Sequence, residues 1–209
     1  MTPAATKRAA HRPSRRHEII EAATTVFARE GYLEANVEDI AMEAGVAPTA
    51  IYYHFGGKEE LFAQTLRAAL NGFSDAIFRV RPDSAAGSIE NLRSVLRAGW
   101  GYWSAHQDAA RLVARSSEGS TAHALQRRRE WEQRHLERAY DYAPEARTPR
   151  SARKAREQHA VNTLAMGVLL DIIIVSQAAA IEGALERVSR AALISAVEQM
   201  CVALIVSLR

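Results

Sequence analysis

A single cysteine, Cys201, stands among 209 residues. One thiol excludes an intrachain disulfide and cannot build a cysteine-rich zinc site. Glycine and proline are scarce, at 11 and 6, and β-branched runs are rare. With alanine, leucine, arginine and glutamate abundant, that scarcity argues against a turn-rich sheet, and the expected fold class is all-α. The formal net charge is only +3, so the overall balance does not announce a polyanionic partner. No apolar run follows the basic N-terminus, so no secretory leader is expected and the expected location is cytoplasmic.

Long apolar runs are nearly absent too. From Val161 to Ile181, which includes "VLLDIIIVSQAAAI", the sole ionisable side chain is Asp171. A central Asp costs about 2.5–3.5 kcal/mol on insertion into a bilayer, and the flanks carry no aromatic belt. A second apolar segment, "AALISAVEQMCVALIVSL", spans Ala191 to Leu208. Two neighbouring helices with too many apolar faces read as a buried helical interface, and no membrane partner is expected.

What is present is helical periodicity. Residues 1–13 lack it and read as a disordered basic arm. In "SRRHEIIEAATTVFAREG", Ser14 can cap a helix in which Ile19, Ile20, Ala23, Val26 and Phe27 recur at helical spacing, with Gly31 as its stop. Asn36 is a good N-cap for a helix from Val37 to Ala44. Pro48 opens another at its first position, and Gly56-Gly57 closes it. A long helix follows from Lys58 to about Val80. Further helices are expected over Ser88–His106, Asp108–Ser117, Thr121–Tyr142, Ser151–Glu182 and Val188–Leu208. No internal repeat is visible.

The stretch "EDIAMEAGVAPTAIYYHFGGKEELF" concentrates the chemistry. Counting Val37 as first, a small residue stands fifth (Ala41), a glycine ninth (Gly45), and aliphatics fourth, tenth and fifteenth (Ile40, Val46, Ile51). This spacing suits a helix-turn-helix. Ala41 permits a close helix crossing, Gly45 can take the positive φ of a tight turn, and the aliphatics hold the pair together. Thr49, Ala50, Tyr52, Tyr53 and His54 are then offered to something outside. The major groove of DNA admits such a helix, and its phosphates accept hydrogen bonds from Tyr, Thr and His.

"AGVAPTAIYYHFGGKEELF", preceded by "IIEAATTVFAREGY", resembles the N-terminal DNA-binding domain of the tetracycline-repressor (TetR) family of bacterial regulators. The likeness covers about Arg15 to Leu66. It implies a homodimer that binds a palindromic double-stranded DNA operator and is released by a ligand in the C-terminal domain. It places base reading at Pro48, Thr49, Ala50 and Tyr52, and phosphate contacts at Asn36, Tyr53, His54 and Lys58. Where the family usually has Ser or Thr, this chain has Ala47, which removes a cap worth about 1 kcal/mol. Pro48 and Ala50 replace residues that are frequently polar, so methyl contacts, Thr49 and Tyr52 are expected to outweigh bidentate pairs.

Residues 1–58 hold seven cations and seven acids, which cancel, yet five of those cations lie within residues 1–16 without an acid among them. That distribution is either a solvated tail or an arm adding phosphate or minor-groove contacts. Enzyme signatures are weak. "GGK" at Gly56–Lys58 has Ile51 where a phosphate loop requires glycine. "SSEGS" at Ser116–Ser120 is no nucleophile elbow, and the seven histidines form no metal-binding pair. Neither a metal nor a cofactor is expected.

In "SIENLRSVLRAGWGYWSAH", Ile89, Leu92, Leu96, Gly99, Trp100 and Trp103 share a helical stripe. They form plain core or, as the resemblance implies, line a cavity for a small hydrophobic organic ligand beside Gly99, Trp100 and Trp103. Trp131, Met166 and Asp171 are further candidates. Leu164, Val168, Ile172 and Val175, with Leu193, Val197, Met200 and Leu204, form stripes too long for one protomer's core. They suit a four-helix dimer interface. The expected organisation is an arm at 1–13, a helix-turn-helix domain at 14–60 and a ligand-binding and dimerisation domain at 61–209. The expected function is a ligand-released repressor. The alternatives are an activator or ligand-independent regulator and, more remotely, a helical-bundle enzyme.

Overall fold

The computed structural model describes residues 15–116, 121–142, 144 and 189–207. They form helices α1 (Arg15–Glu34), α2 (Val37–Glu43), α3 (Pro48–Phe55), α4 (Lys58–Phe78), α5 (Gly87–Ala105), α6 (Gln107–Arg115), α7 (Ala122–Ala139) and α8 (Arg190–Ser207). Among the described residues there is no strand. The expected helices in these regions are all present, with ends shifted by at most three residues, as fraying termini allow.

Local signals account for the first elements. Ile19, Ala23, Val26 and Phe27 of α1 are buried at helical spacing. Gly31 (φ 81°, ψ 171°) breaks the helix near its end, and its left-handed φ suits glycine. The Asn36 side chain accepts from Asp39 N at 2.7 Å and caps α2. At the other end of α2, Gly45 takes φ 62°. Its N–H donates to Met42 O, and that of Val46 to Ala41 O. These two bonds are the paired closure of a helix that ends in a left-handed glycine. They set the sharp angle at which α3 leaves.

α4 is the spine. Its 21 residues rise about 30 Å. Near its start, Phe62 meets Phe27 edge-on at 5.0 Å and Tyr32 at 4.9 Å, which ties α4 to α1. Towards its end, Phe73 stacks on Trp103 of α5 at 4.8 Å, while Phe78 stacks on His135 of α7 at 5.6 Å. One continuous core joins the N-terminal helices to the rest.

α8 packs on α5 within the protomer. Val197 is only 3 % exposed, and Arg93 Nε donates to Glu198 Oε1 at 2.5 Å. Val197, expected in an intersubunit stripe, is thus buried within its own chain. Leu193 is half-buried against the same core, whereas Met200 is 54 % exposed. The arm, Ser14, the helix over Ser151–Glu182 with Leu164, Met166, Val168, Asp171, Ile172 and Val175, and the side chain of Leu204 lie outside the described residues. Among the described residues, no helix is long and apolar enough to cross a membrane.

Candidate nucleic-acid interface

Helix α3 begins with Pro48 at its first position and has no side-chain cap, since Ala47 precedes it. It ends at Gly56 (φ 75°), whose N–H donates to Tyr52 O at 2.9 Å. Ile51 and Phe55, one turn apart, are buried and fix the helix to the unit. Pro48, Thr49, Tyr52 and Tyr53 are exposed. At about 100° per residue these four sweep one contiguous arc, which starts beside buried Phe55 at Pro48 and ends opposite the buried pair at Tyr53. Tyr53 is 85 % exposed and Tyr52 52 %. Ala50 and His54 sit half-buried at the margin, with the His54 ring edge-on to Tyr53 at 5.1 Å.

Two expected phosphate contacts are engaged elsewhere. Lys58 Nζ donates to Leu33 O at 3.0 Å and lies 4.7 Å from the centre of the Tyr32 ring. The cation closes the end of α1, where the last carbonyls lack helical partners. Asn36 caps α2, and its amide also donates to Asp39 Oδ2 at 2.5 Å. Other cations of this unit are similarly held: Arg29 pairs with Glu30 at 2.8 Å, and Arg16 donates to Gln64 while its guanidinium lies 5.2 Å from the Phe55 ring centre. Neutral groups dominate the exposed arc of α3.

Side chains from later helices hold this unit, and sequence reasoning missed them. Thr25 donates to Asp108 Oδ2 at 3.2 Å. Arg115 Nη1 donates to the carbonyls of Ala28 and Arg29 at 3.1 and 3.2 Å, placing a guanidinium at the C-terminal end of the main run of α1. His123 of α7 meets Glu60 in the first turn of α4 at 2.8 Å. Burial pulls the Glu60 carboxyl upward, but hydrogen bonds from Gln64 and His123 outweigh it and hold the group below the usual carboxylate range. The partners are far apart in sequence, so no local pattern announces them.

The aromatics expected around a cavity are closely packed. Trp103 is fully buried against Phe73, and Trp100 and Gly99 are buried beside it. Trp131 donates its indole N–H to Asn71 Oδ1 at 3.1 Å and stacks on His135 at 4.1 Å. Clefts of about 640, 480 and 400 Å³ open among the described residues. None of these three is lined by Gly99, Trp100, Trp103 or Trp131. The indole N–H of Trp103, however, meets no acceptor among the described residues.

Comparison with known proteins places this geometry. Residues 19–65 match the family model described as bacterial regulatory proteins, tetR family. The chain is similar to the HTH-type transcriptional regulator HbdR of Aromatoleum sp. (strain CIB), 33% identical over 111 residues, covering 52% of this chain and 47% of that one. It is also similar to the HTH-type transcriptional repressor KstR2 of Mycobacterium tuberculosis, 40% identical over 88 residues, covering 41% and 42%. These matches span about half the length of each relative or less. Among solved structures, a TetR-like transcriptional regulator from Rhodococcus sp. RHA1 superposes with a TM-score of 0.65 at 18% identity, over 93% of this chain and 97% of that one. That likeness shows the fold. α1–α3 and the start of α4 are therefore a TetR-family N-terminal domain, on a chain that has the fold of a TetR-like regulator over nearly its whole length.

Proposed function

We propose that the protein is a sequence-specific DNA-binding transcriptional regulator, a homodimer that represses from a palindromic operator until a small hydrophobic ligand releases it. The observation that carries the DNA-binding reading is the exposed arc of Pro48, Thr49, Tyr52 and Tyr53 on a helix pinned from behind by Ile51 and Phe55. Tyr side chains this exposed gain little by staying in water, and their hydroxyls can donate to phosphate oxygens. A single helix-turn-helix touches few bases, so two-fold symmetry doubles the contact, with half-sites one DNA turn apart at about 34–36 Å.

The ligand-released part rests on α4. Its first turn follows Gly56-Gly57 directly, and Phe73 further along stacks on Trp103. A ligand that supplied an acceptor to the Trp103 indole N–H would contact the residue that packs on α4. It would favour one tilt of that helix and so one separation of the two recognition helices. Its effect is bounded by its differential affinity for the two states, about 1–3 kcal/mol.

The test is a mobility shift with the full chain and DNA from upstream of its own gene. A discrete retarded species that survives competitor DNA is expected, and Tyr53→Ala weakens it at moderate salt. A protein that retards no duplex in preference to competitor overturns the reading.

A further inference from the structure

The exposed arc of α3 is chemically narrow. Over Pro48–Phe55 there is no Arg, Lys, Asn, Gln, Asp or Glu. A guanine edge is read most often by a bidentate Arg or Lys, an adenine edge by Asn or Gln, and a cytosine amine by an acid. None of these can be made from this helix. Among the described residues, three cations of the N-terminal helices and the start of α4 are held by protein partners: Lys58 on Leu33 O, Arg29 on Glu30, and Arg16 on Gln64 and the Phe55 ring. Apart from the hydroxyls of Thr49, Tyr52 and Tyr53 and the half-buried His54 ring at the margin, what the arc and its margin present is apolar: the Pro48 ring, the Thr49 methyl, the Ala50 methyl and the flat face of Tyr52.

One base-pair feature in the major groove matches that chemistry, the C5-methyl group of thymine. The Thr49 hydroxyl both donates and accepts, so it pairs with either kind of edge and discriminates little. Its methyl does discriminate, because it rewards an apolar neighbour and gains nothing from a cytosine edge. The first turn of a recognition helix is the part that enters the groove, and Pro48, Thr49 and Ala50 are that turn.

Resting on the DNA-binding reading, we infer that α3 selects its half-site by the methyl groups of thymines packed against Pro48, Thr49, Ala50 and Tyr52. Bidentate base recognition by this helix plays no part in that choice. Specificity in the major groove is then steric and apolar, and Tyr53 on the flank positions the helix on the backbone.

Deoxyuridine isolates this term, since it removes only the thymine methyl and leaves every hydrogen-bonding edge intact. The full chain is used first to select duplexes from a random pool. Each thymine of the selected half-site is then replaced singly by deoxyuridine, and affinity is read by fluorescence anisotropy. At least two thymines per half-site are expected to lose about fourfold in affinity each, the worth of one buried methyl. Thr49→Ser, which keeps the hydroxyl and removes the methyl, is expected to abolish the loss at one of them. Tight binding to a selected duplex whose thymines all tolerate deoxyuridine within twofold overturns the inference and leaves the DNA-binding reading standing. So does a half-site whose tightest contacts are lost on replacing guanine by 7-deazaguanine. Failure to select any duplex overturns both.

Discussion

Tyr53 and His135 show how differently one chain can use an aromatic ring. The Tyr53 ring stands in solvent, so removing its hydroxyl leaves packing intact. Tyr53→Phe is expected to weaken operator binding by about fivefold, the worth of one net hydrogen bond of ~1 kcal/mol, equally across DNA sequences. Because tyrosine is neutral, the dependence of affinity on salt is expected to stay unchanged; anisotropy titrations at several salt concentrations check both. His135 lies between Trp131 and Phe78. Burial pushes its pKa down, helped by Arg134 and Arg138, against the backbone bond to Trp131 O and the charge of Asp75. The unfolded chain therefore binds its proton first as pH falls. The stability linked to this residue is complete above the ordinary imidazole value of about 6.5 and declines below it. His135→Phe is expected to flatten thermal stability between pH 7 and pH 5 relative to the parent, measured by melting at each pH.

Among the elements, α3 and α1 are closed at their ends by opposite means. Ala47 leaves the first turn of α3 without a side-chain cap. Ala47→Ser is expected to raise global stability by about 1 kcal/mol in denaturant titration. At the far end of α1, the Arg115 guanidinium serves carbonyls that lie 87 and 86 residues away in sequence. Bonds of this charged kind contribute about 1.5–3 kcal/mol, and partial exposure places this one at the lower end. Arg115→Ala is expected to destabilise the fold by about 1–2 kcal/mol. Hydrogen exchange should quicken first around Ala28 and Arg29, ahead of the amides of α5. Uniform exchange across both helices would show that the side chain does not act as a local closure.

For the whole molecule, the decisive surface is α8. Met200 is exposed on it while Val197 is buried under it. A charge at Met200 therefore probes assembly without disturbing the protomer. Met200→Glu is expected to shift a dimer towards monomer in sedimentation equilibrium at unchanged melting temperature. Val197→Glu is expected to lower the melting temperature by burying an unpaired charge. A wild-type chain that sediments as a monomer at micromolar concentration ends the dimer proposal.

Much of this architecture can be read from the residues alone, because its causes are local. Ala41, Gly45, Val46, Ile51 and Pro48 act over one or two turns, and backbone sterics at Gly45 and Asn36 capping need no distant partner. The all-α fold, the helix-turn-helix and the outward face of Tyr52 and Tyr53 follow from such rules. Tertiary packing alone decided which polar groups remained available. Lys58, expected at a phosphate, donates to the Leu33 carbonyl because α1 ends beside it. Asp108, Arg115 and His123 carried no signal at all, since their partners lie on helices brought alongside only by the shared core. Val197 belongs to an apolar stripe that periodicity draws equally well for a core or an interface. Periodicity gives the face of a helix. What covers that face depends on which neighbour buries it first, and Val197 is already buried within its own chain.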